Sequence, residues 1–542
     1  MTTTAAPQFL LPDGLDTATL VARLRHHLPW PLREESAHEL SLVLLDTFDW
    51  RVFEDGGWLE LESTGRTDRL TWRSADESQV RASTPVKGLP RFARDLPPGH
   101  LRDTLGPRLG VRALLPLVRL SGARTTLDAT DPEGKTVLRI GIEALHLRRA
   151  GRRPGFGPRR LRLLPVRGCP EALTAAETIV RDALGLAVAT AALRAEALTR
   201  AGHPPGDYDP SLSFRLAADQ RTDAALQAIL RKLLETMLAN EKGVREHIDT
   251  EFLHDLRVSV RRARSLLGQV RGVFPDRRVA VLRDDLGWLG HATSAARDVD
   301  VYLLAFDDYA ARLPAGVRPH LEPFRTFLTA RQTRAYGELA ACLESARFRR
   351  LTRRWRLLAG RPLPRRPVAK WALRPVGKVA RKRIWRAYRN LMHLGEAIHR
   401  DSPPGDLHEV RIAGKKLRYL MEFFRSLFPP EAVDLPVRAL KTFQDNLGEM
   451  QDLHVQQEQL GRFERQMAKE GTLAPETAAA MGQLIAGLAQ RQTKVRLEFA
   501  ERFDAFSAPE TVRAFRQTFR RRNGVQEVAD AGRARAGGTS PG

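Results

Sequence analysis

The chain has little cysteine, no long apolar run and too few acidic residues to balance its basic ones. Its 542 residues include two cysteines, Cys169 and Cys342, which are too few and too far apart to suggest a disulfide framework or a zinc site. No stretch of about 18 uncharged apolar residues occurs, and the N-terminus lacks the basic and apolar regions of a secretory signal. We therefore expect a soluble, cytoplasmic protein without a membrane partner.

The basic excess is large. Lys and Arg together number 88 against 64 Asp and Glu, which gives a formal net charge of +24. Such a charge favours a polyanionic partner: nucleic acid, an anionic membrane surface or polyphosphate. Arg greatly outnumbers Lys, which suits bidentate contacts with phosphate oxygens and is equally explained by a GC-rich genome. With 42% hydrophobic residues the chain is able to bury a core.

Residue patterns divide the chain into three regions. Up to about residue 168, period-2 stretches such as "SLVLLDTF" and "GWLELES" predict strands. A helical run follows from Pro170 to the Gly of "LTRAG", and beyond "HPPGDYDP" nearly every segment reads as an amphipathic helix. We predict an N-terminal domain over 1–205, a helical domain over 213–520 and a disordered tail over 521–542.

The helical region contains an internal repeat. "LHDLRVSVRRARSLLGQVRGVFP" begins at Leu253, and "LHEVRIAGKKLRYLMEFFRSLFP" begins 154 residues later at Leu407. After a small insertion, "RQTR" from Arg331 corresponds to "RQTK" from Arg491. The repeats extend over about 220–360 and about 374–520, far longer than the unit of a solenoid. They predict two helical bundles related by a pseudo-twofold axis.

Each copy of the repeat carries cations on one helix face. At about 100° per residue, a histidine and three cations fall within one sector, beside a sector of buried-type residues such as Leu256 and Val410. We call these faces the first stripe (His254, Arg257, Arg261, Arg264) and the second stripe (His408, Arg411, Lys415, Arg418). Arg262 and Lys416 lie at the edges of the stripes.

Like charges three and four positions apart destabilise a helix, and no acidic residue within the stripes offsets them. One interpretation is a solvated basic face. The other, which the duplication favours, is that the stripes converge on an anion and that the histidines donate hydrogen bonds to its oxygens. The patterns "HDLR" and "HEVR" offer no second metal ligand on that face. Asp298 and Asp452, which correspond in the repeat, either orient the cations or are structural.

The two stripes resemble the motif of the CHAD family, the conserved histidine α-helical domains. Its L-H-x-x-R-[VI]-x-x-[RK]-[RK]-x-R pattern is present twice, as "LHDLRVSVRRAR" and "LHEVRIAGKKLR". The resemblance implies two antiparallel four-helix bundles whose basic inner surfaces form a cavity that binds inorganic polyphosphate. By position, the implied binding residues are His254, Arg257, Arg261, Arg262, Arg264, His408, Arg411, Lys415, Lys416 and Arg418. Supporting residues are Tyr419, Asp298, Asp452, Lys382 and Arg386.

The N-terminal region resembles a CYTH domain, the triphosphate tunnel that commonly neighbours CHAD. The whole chain is then α+β: a CYTH-like antiparallel β-barrel followed by an all-α CHAD domain. The sequence departs from the family where catalysis needs carboxylates to hold a divalent metal. "APQFLLP" replaces the opening E-x-E-x-K, Glu60 and Glu62 stand where basic residues are usual, and "LRLLPVRG" from Leu161 replaces metal-binding acids. We expect a degenerate domain without hydrolase activity, metal or cofactor.

Three functions follow from these observations, and the sequence leaves the oligomeric state undetermined. The first is non-catalytic binding of inorganic polyphosphate, with polyphosphate granules as one location within the cytoplasm. The second is a divergent, metal-dependent CYTH-type triphosphatase or polyphosphatase. The third is non-specific binding of RNA or DNA at low salt, against which the stripes offer almost no aromatic residue for base stacking apart from Tyr419.

Overall fold

The computed structural model describes residues 6–63, 68–77, 79–148, 155–213 and 215–520. The chain divides into two compact units, Met1–Asp209 and Pro210–Gly542. The predicted disordered tail, 521–542, lies outside the described residues. No helix within the described ranges is both long enough and apolar enough to cross a bilayer.

The first unit is a β-sheet flanked by short helices. Its elements in chain order are β1 (Gln8–Leu10), α1 (Thr17–His27), β2 (Leu32–Asp46), α2 (Arg51–Glu54), β3 (Gly57–Ser63), β4 (Asp68–Ser74), β5 (Val80–Val86), α3 (His100–Leu109), β6 (Leu115–Thr130), β7 (Thr136–Leu147), β8 (Gly155–Pro165), α4 (Pro170–Thr178) and α5 (Leu193–Ala201). In the described residues the eight strands form one antiparallel sheet with the order β1-β8-β7-β6-β2-β3-β4-β5. Its hydrogen-bond ladder has β1 and β5 as edges.

Alternation along the strands gives both faces of the sheet an apolar cluster, and one of these faces also carries buried charged groups. Leu59 and Leu61 on β3 are buried in an apolar cluster with residues of α3. Glu60, which lies between them, must point to the opposite face because side chains alternate along a strand. Glu60 is nevertheless fully buried. The sequence therefore produces an interior that contains charged groups.

The prediction of a continuous helix after Pro170 is wrong between Thr178 and Leu193. The helix α4 ends at Thr178, a π-turn follows over Ile179–Ala183, and α5 begins only at Leu193. Between them Gly185 has a φ of 64°, a left-handed conformation that glycine adopts without strain. The chain then pairs with edge strand β1 through the Leu10 amide and the Ala187 carbonyl, 2.8 Å apart. Tertiary pairing has overridden helix propensity here.

The second unit is all-helical, which confirms the predicted α+β class. Its helices are α6 (Thr222–Arg245), α7 (Thr250–Gln269), α8 (Asp276–Ala292), α9 (Ser294–Leu304), α10 (Phe306–Ala311), α11 (Glu322–Glu344), α12 (Ala346–Gly360), α13 (Val376–Glu396), α14 (Pro404–Phe424), α15 (Pro430–Lys469), α16 (Pro475–Leu497), α17 (Phe499–Phe506) and α18 (Pro509–Phe515). The helices α6 and α7 of the first repeat correspond to α13 and α14 of the second. The single helix α15 occupies the sequence positions of α8, α9 and α10.

The stripe helices begin and pack as their sequences predict. The Asp249 carboxylate caps α7 by accepting hydrogen bonds from the amides of Glu251 and Phe252, and Pro404 is the first residue of α14, where it needs no hydrogen-bond partner. Gly243 lets α7 approach α6, because a Cβ there would lie 2.2 Å from the Phe252 ring. The apolar sectors of both stripe helices are buried, as predicted: Leu253, Leu256, Val260, Leu407, Val410 and Leu417.

Candidate anion-binding site

The two stripes lie on helices that contact each other. The helix α7 packs against α14, and α6 packs against α13, so equivalent elements of the two repeats contact each other. Glu422 on α14 joins the two sides: its carboxylate pairs with Arg262 of the first repeat at 3.0 Å and with Arg418 of its own helix at 3.5 Å. The sequence analysis did not identify Glu422. Its ion pairs occupy two of the predicted binding residues and fix the contact between the stripes.

Positive charge accumulates where the stripes meet. Burial, followed by the charges of Arg411 and Arg261, lowers the pKa of Lys415 to about 8. Burial also lowers the pKa of Arg411, with Arg261 adding to the effect and Asp452 opposing it. Because Arg261 belongs to the first repeat and the other two cations to the second, these effects show that the stripes converge. The pKa of Lys415 is therefore lowered first by burial and then by cations from both repeats, with Asp452 opposing the shift.

The first stripe is partly held by backbone and hydroxyl oxygens. Arg257 donates to the Gly290 carbonyl at 3.0 Å and to the Thr293 hydroxyl at 2.6 Å. Burial raises the pKa of Asp298 although Arg257 is among the cations that lower it. Arg261 and Arg264 are exposed. Within the described ranges, none of these three arginines has a carboxylate partner, in contrast to Arg262.

The three cations of the second stripe line a cavity of about 900 Å³. Arg411 pairs with Asp452 at 3.0 Å, and Arg491 on the opposite wall pairs with Glu449 at 2.7 Å. Lys415 has no carboxylate partner in the part of the chain that the structure describes. The charged residues of the wall are Arg312, Arg411, Lys415, Arg418, Arg491, Asp445, Glu449 and Asp452. The wall is therefore cationic overall, with acids that orient particular arginines.

The two histidines occupy different surroundings. Burial and then the Arg297 guanidinium lower the pKa of His254, which favours its neutral form. His408 is exposed, and its Nδ1 lies 2.8 Å from the Gln451 side-chain oxygen. It lines a separate cavity of about 460 Å³ with His454. The structure thus does not bring His408 into the cavity that Arg411 and Lys415 line.

The remaining predicted residues are dispersed. Lys416 is exposed at the edge of the second stripe. Tyr419 is 5% exposed, and its ring lies 5.4 Å from the Arg418 guanidinium carbon, so it supports Arg418 from beneath. Lys382 and Arg386 lie on α13, and the Lys382 ammonium sits 4.7 Å from the centre of the Trp371 ring. Trp371 lines a second pocket, described below, so Lys382 adjoins that pocket, whereas Arg386 is not among the residues that line either cavity.

Sequence reasoning missed five charged residues of this region: Arg297, Arg312, Arg331, Arg491 and Glu422. A signal for two of them was present, because Arg331 and Arg491 begin the matching segments "RQTR" and "RQTK". Arg331 lowers the pKa of Asp298, and Arg491 lines the larger cavity. Residues that share a register in both repeats therefore meet at the site even when they are far from the stripe motif.

The interior of the N-terminal unit is filled by ion pairs. Arg194 of α5 is fully buried and contacts Glu60 at 2.9 Å, Glu77 at 3.0 Å and Glu143 at 3.5 Å. Arg73 also pairs with Glu60, and Arg124 pairs with Glu143 at 2.9 Å. Burial alone would raise the pKa of Glu143, but Arg194, Arg124 and Arg162 hold it at about 2.

These carboxylates do not fit a divalent metal. A metal ligand needs oxygen lone pairs directed at the ion, whereas Glu60, Glu77 and Glu143 already accept from arginine. In the described ranges no group of three or more His, Cys, Asp or Glu side chains is arranged to hold a metal.

Comparison with known proteins identifies the helical unit. Residues 228–461 match the family model of the CHAD domain, which confirms the resemblance read from the stripes. The crystal structure of the CHAD domain from the plant Ricinus communis is 28% identical, with 55% of this chain and 97% of that chain covered and a TM-score of 0.46. PptA from Streptomyces chartreusis is 20% identical, with 52% and 99% covered and a TM-score of 0.42. No curated protein matches the chain. The CYTH resemblance of the N-terminal unit stays a prediction, whereas the helical unit matches the CHAD domain over residues 228–461.

Proposed function

We propose that this protein binds inorganic polyphosphate at the meeting point of the two stripes. The observation that carries the proposal is the set of cations from both repeats that lack carboxylate partners in the described residues, with Lys415 held at a pKa of about 8 by burial and by Arg411 and Arg261. A bound polyanion would supply the missing negative charge. The ligand class is the one that the CHAD resemblance implies.

The energetics suit a repeating ligand. A charge-assisted hydrogen bond contributes about 1.5–3 kcal/mol, while an exposed ion pair contributes about 0–1 kcal/mol. The half-buried Arg411 and Lys415 belong closer to the first class, and the exposed Arg261 belongs to the second. A linear polymer engages several such donors at once, so binding gains avidity without any single strong contact.

The proposal is tested with Arg261→Gln/Lys415→Gln. Neither side chain makes an ion pair in the described structure, so their neutralisation leaves no carboxylate unpaired. We expect the affinity for long-chain polyphosphate to fall at least about tenfold, or about 1.4 kcal/mol, with unchanged helical circular dichroism. The matched control is Arg350→Gln/Lys469→Gln, on exposed positions. Lys469 lies about 25 Å along α15 from Asp452 at the helical rise per residue. Equal affinity of wild type and the stripe variant would contradict the proposal.

Nucleic acid is the competing polyanion, and the same assay separates it. Tyr419 is buried, so the stripes present no exposed aromatic ring for base stacking among the described residues. We expect RNA at equal phosphate concentration and near-physiological salt to leave polyphosphate bound. Displacement by RNA would mean that the stripes are a general basic surface.

The same proposal assigns no catalysis to the N-terminal unit and locates the protein in the cytoplasm, at polyphosphate granules. Support for the absence of catalysis comes from Arg194, which occupies the carboxylates Glu60, Glu77 and Glu143. The location is supported only by the proposed ligand, because polyphosphate is the material of these granules. A fluorescent fusion that stays diffuse in cells containing granules would contradict it.

A further inference from the structure

A second cationic pocket lies beyond the C-terminal end of α7. It is a cavity of about 540 Å³ formed by the α7–α8 connection, α8, the segment between the repeats and α13. Four cations line it around the indole of Trp371: Arg271, Arg283, Lys370 and Arg383. Lys382 covers the same ring. The pocket thus combines groups from both repeats and from the segment that joins them.

The charge of this pocket is uncompensated. None of the four lining cations has a carboxylate partner in the part of the chain that the structure describes, and the acid on the wall is Asp276. Burial, followed by Arg271 and Arg264, lowers the pKa of Arg283. The Nε of Arg283 is buried without a hydrogen-bond partner. Holding like charges together without a counter-ion costs free energy, which an anion would offset.

Helix capping accounts for only part of this cluster. Arg271 donates from Nε to the Gly268 carbonyl at 3.1 Å, and Arg383 donates to the Arg271 carbonyl at 2.9 Å. Both therefore satisfy carbonyls at the C-terminal end of α7, where cations are favourable. Each of them keeps further N–H donors. Arg283 and Lys370 make no such bond in the described residues, so capping does not explain their presence.

A continuous series of cations joins this pocket to the first stripe. Arg264 ends the stripe, and its guanidinium carbon lies 3.7 Å from the position of a Cβ on Gly287 of α8. Arg283, on the same helix, lies 3.4 Å from the position of a Cβ on Gly268 of α7. Both guanidinium groups therefore lie against the backbone of the facing helix, between α7 and α8. Along α7, Arg257 and Gly268 are about 16 Å apart.

The series is present once and is not a product of the repeat. At the offset of 154, Arg271 corresponds to Arg425, which is paired with Asp434 at 3.2 Å. Arg283 corresponds to Val437. The second repeat therefore neutralises or omits the cations that the first repeat leaves unpaired.

We propose that the pocket around Trp371 is a second phosphate subsite, which holds a distant part of the same polyphosphate chain that the stripes bind. This inference rests on the proposed function. A polymer that follows Arg264 and Arg283 reaches the pocket beyond the end of α7, whereas a ligand as short as tripolyphosphate does not occupy both places. The protein then discriminates long chains from short ones by the number of subsites that they reach.

The test is Arg283→Gln/Arg383→Gln, with Arg350→Gln/Arg353→Gln on α12 as the matched control. We expect the affinity for long-chain polyphosphate to fall at least about tenfold, because two charge-assisted contacts are lost, while the affinity for tripolyphosphate at the stripes stays unchanged. The slope of log affinity against log salt should also become shallower for the long chain. The control variant should behave like wild type with both ligands.

The position of Trp371 supplies a second measurement that needs no charge variant. Long-chain polyphosphate should change the emission of Trp371, obtained as the difference between wild type and Trp371→Phe. Unchanged long-chain affinity in Arg283→Gln/Arg383→Gln, or an equal loss for both ligands, would overturn the second subsite. Failure of wild type to bind either ligand would instead overturn the proposed function, and this inference with it.

Discussion

At the scale of single residues, Lys415 is the most informative group of the site. Its ammonium is half-buried on α14 between Arg411 and Arg261, and its pKa is lowered to about 8. An arginine in the same place would stay charged at every physiological pH. A lysine whose pKa lies this close to neutrality makes the charge of the site depend on pH.

We predict that polyphosphate binding weakens as the pH rises through about 8. The anion favours protonated Lys415, so binding raises its pKa, and affinity is full below the pKa of the unbound protein and falls above it. With one proton involved, the dissociation constant rises by at most about tenfold per pH unit. Titrations between about pH 7 and pH 9.5 measure the slope.

Lys415→Arg is the control for this prediction. Arginine keeps its charge throughout this range, so the variant should bind with little dependence on pH. A variant that loses affinity as steeply as wild type would assign the titration to another group and remove Lys415 from the site.

At the scale of elements, α5 determines what the N-terminal sheet encloses. It begins at Leu193, shortly after the segment that pairs with β1. This position buries Arg194 against the face of the sheet that carries Glu60 and Glu143. The Arg194 amide also donates to Glu77 at 2.9 Å. One residue therefore ties β3, β7 and the turn before β5 to the same helix.

We predict that Arg194→Met destabilises the N-terminal unit by about 3–5 kcal/mol, because it leaves buried carboxylates without their partner. The exposed pair between Arg94 and Asp95 supplies the control Arg94→Gln, which should cost about 0–1 kcal/mol. Urea unfolding followed by tryptophan fluorescence measures both. A loss as small as that of the control would show that the interior does not depend on this arginine.

Lowering the pH should reduce the difference in the free energy of unfolding between wild type and Arg194→Met. The pKa of Glu143 is depressed to about 2 in the folded protein, so its ion pairs stabilise the fold above its unfolded value of about 4.3. That contribution is lost as the pH falls from there towards 2. The free energies of unfolding of the two proteins should therefore converge over this range.

The sequence predicted the helical unit better than the β unit for a physical reason. Heptad-like spacing fixes which residues of α7 and α14 are buried, and duplication adds a second, independent copy of the signal. Arg194 carried no such signal, because its burial depends on strands far away in sequence and on the break after Ala183. For Glu422 a local signal was present, its i,i+4 spacing from Arg418; what the sequence could not show is its pair with Arg262 in the other repeat.

At the scale of the whole molecule, the two units use the same kind of charge in opposite ways. The helical unit leaves the cations Arg257, Arg261 and Lys415 without carboxylate partners in the described residues, as the proposed anion binding requires. The N-terminal unit pairs its buried Glu60 and Glu143 with arginines. The cations of the helical unit are therefore available for the proposed polyanion, whereas the arginines of the N-terminal unit are used to neutralise the carboxylates that a metal would need.

We predict that the full-length protein releases no orthophosphate from tripolyphosphate or long-chain polyphosphate in the presence of Mg²⁺ or Mn²⁺. A divalent ion would have to displace Arg194 and Arg124 from carboxylates that they hold in a buried interior, at the cost of leaving those cations unpaired. Phosphate release is followed over time at near-neutral pH, with Glu143→Gln as the control. Metal-dependent release that disappears in Glu143→Gln would establish the N-terminal unit as a hydrolase, and equal release by both proteins would come from a contaminant.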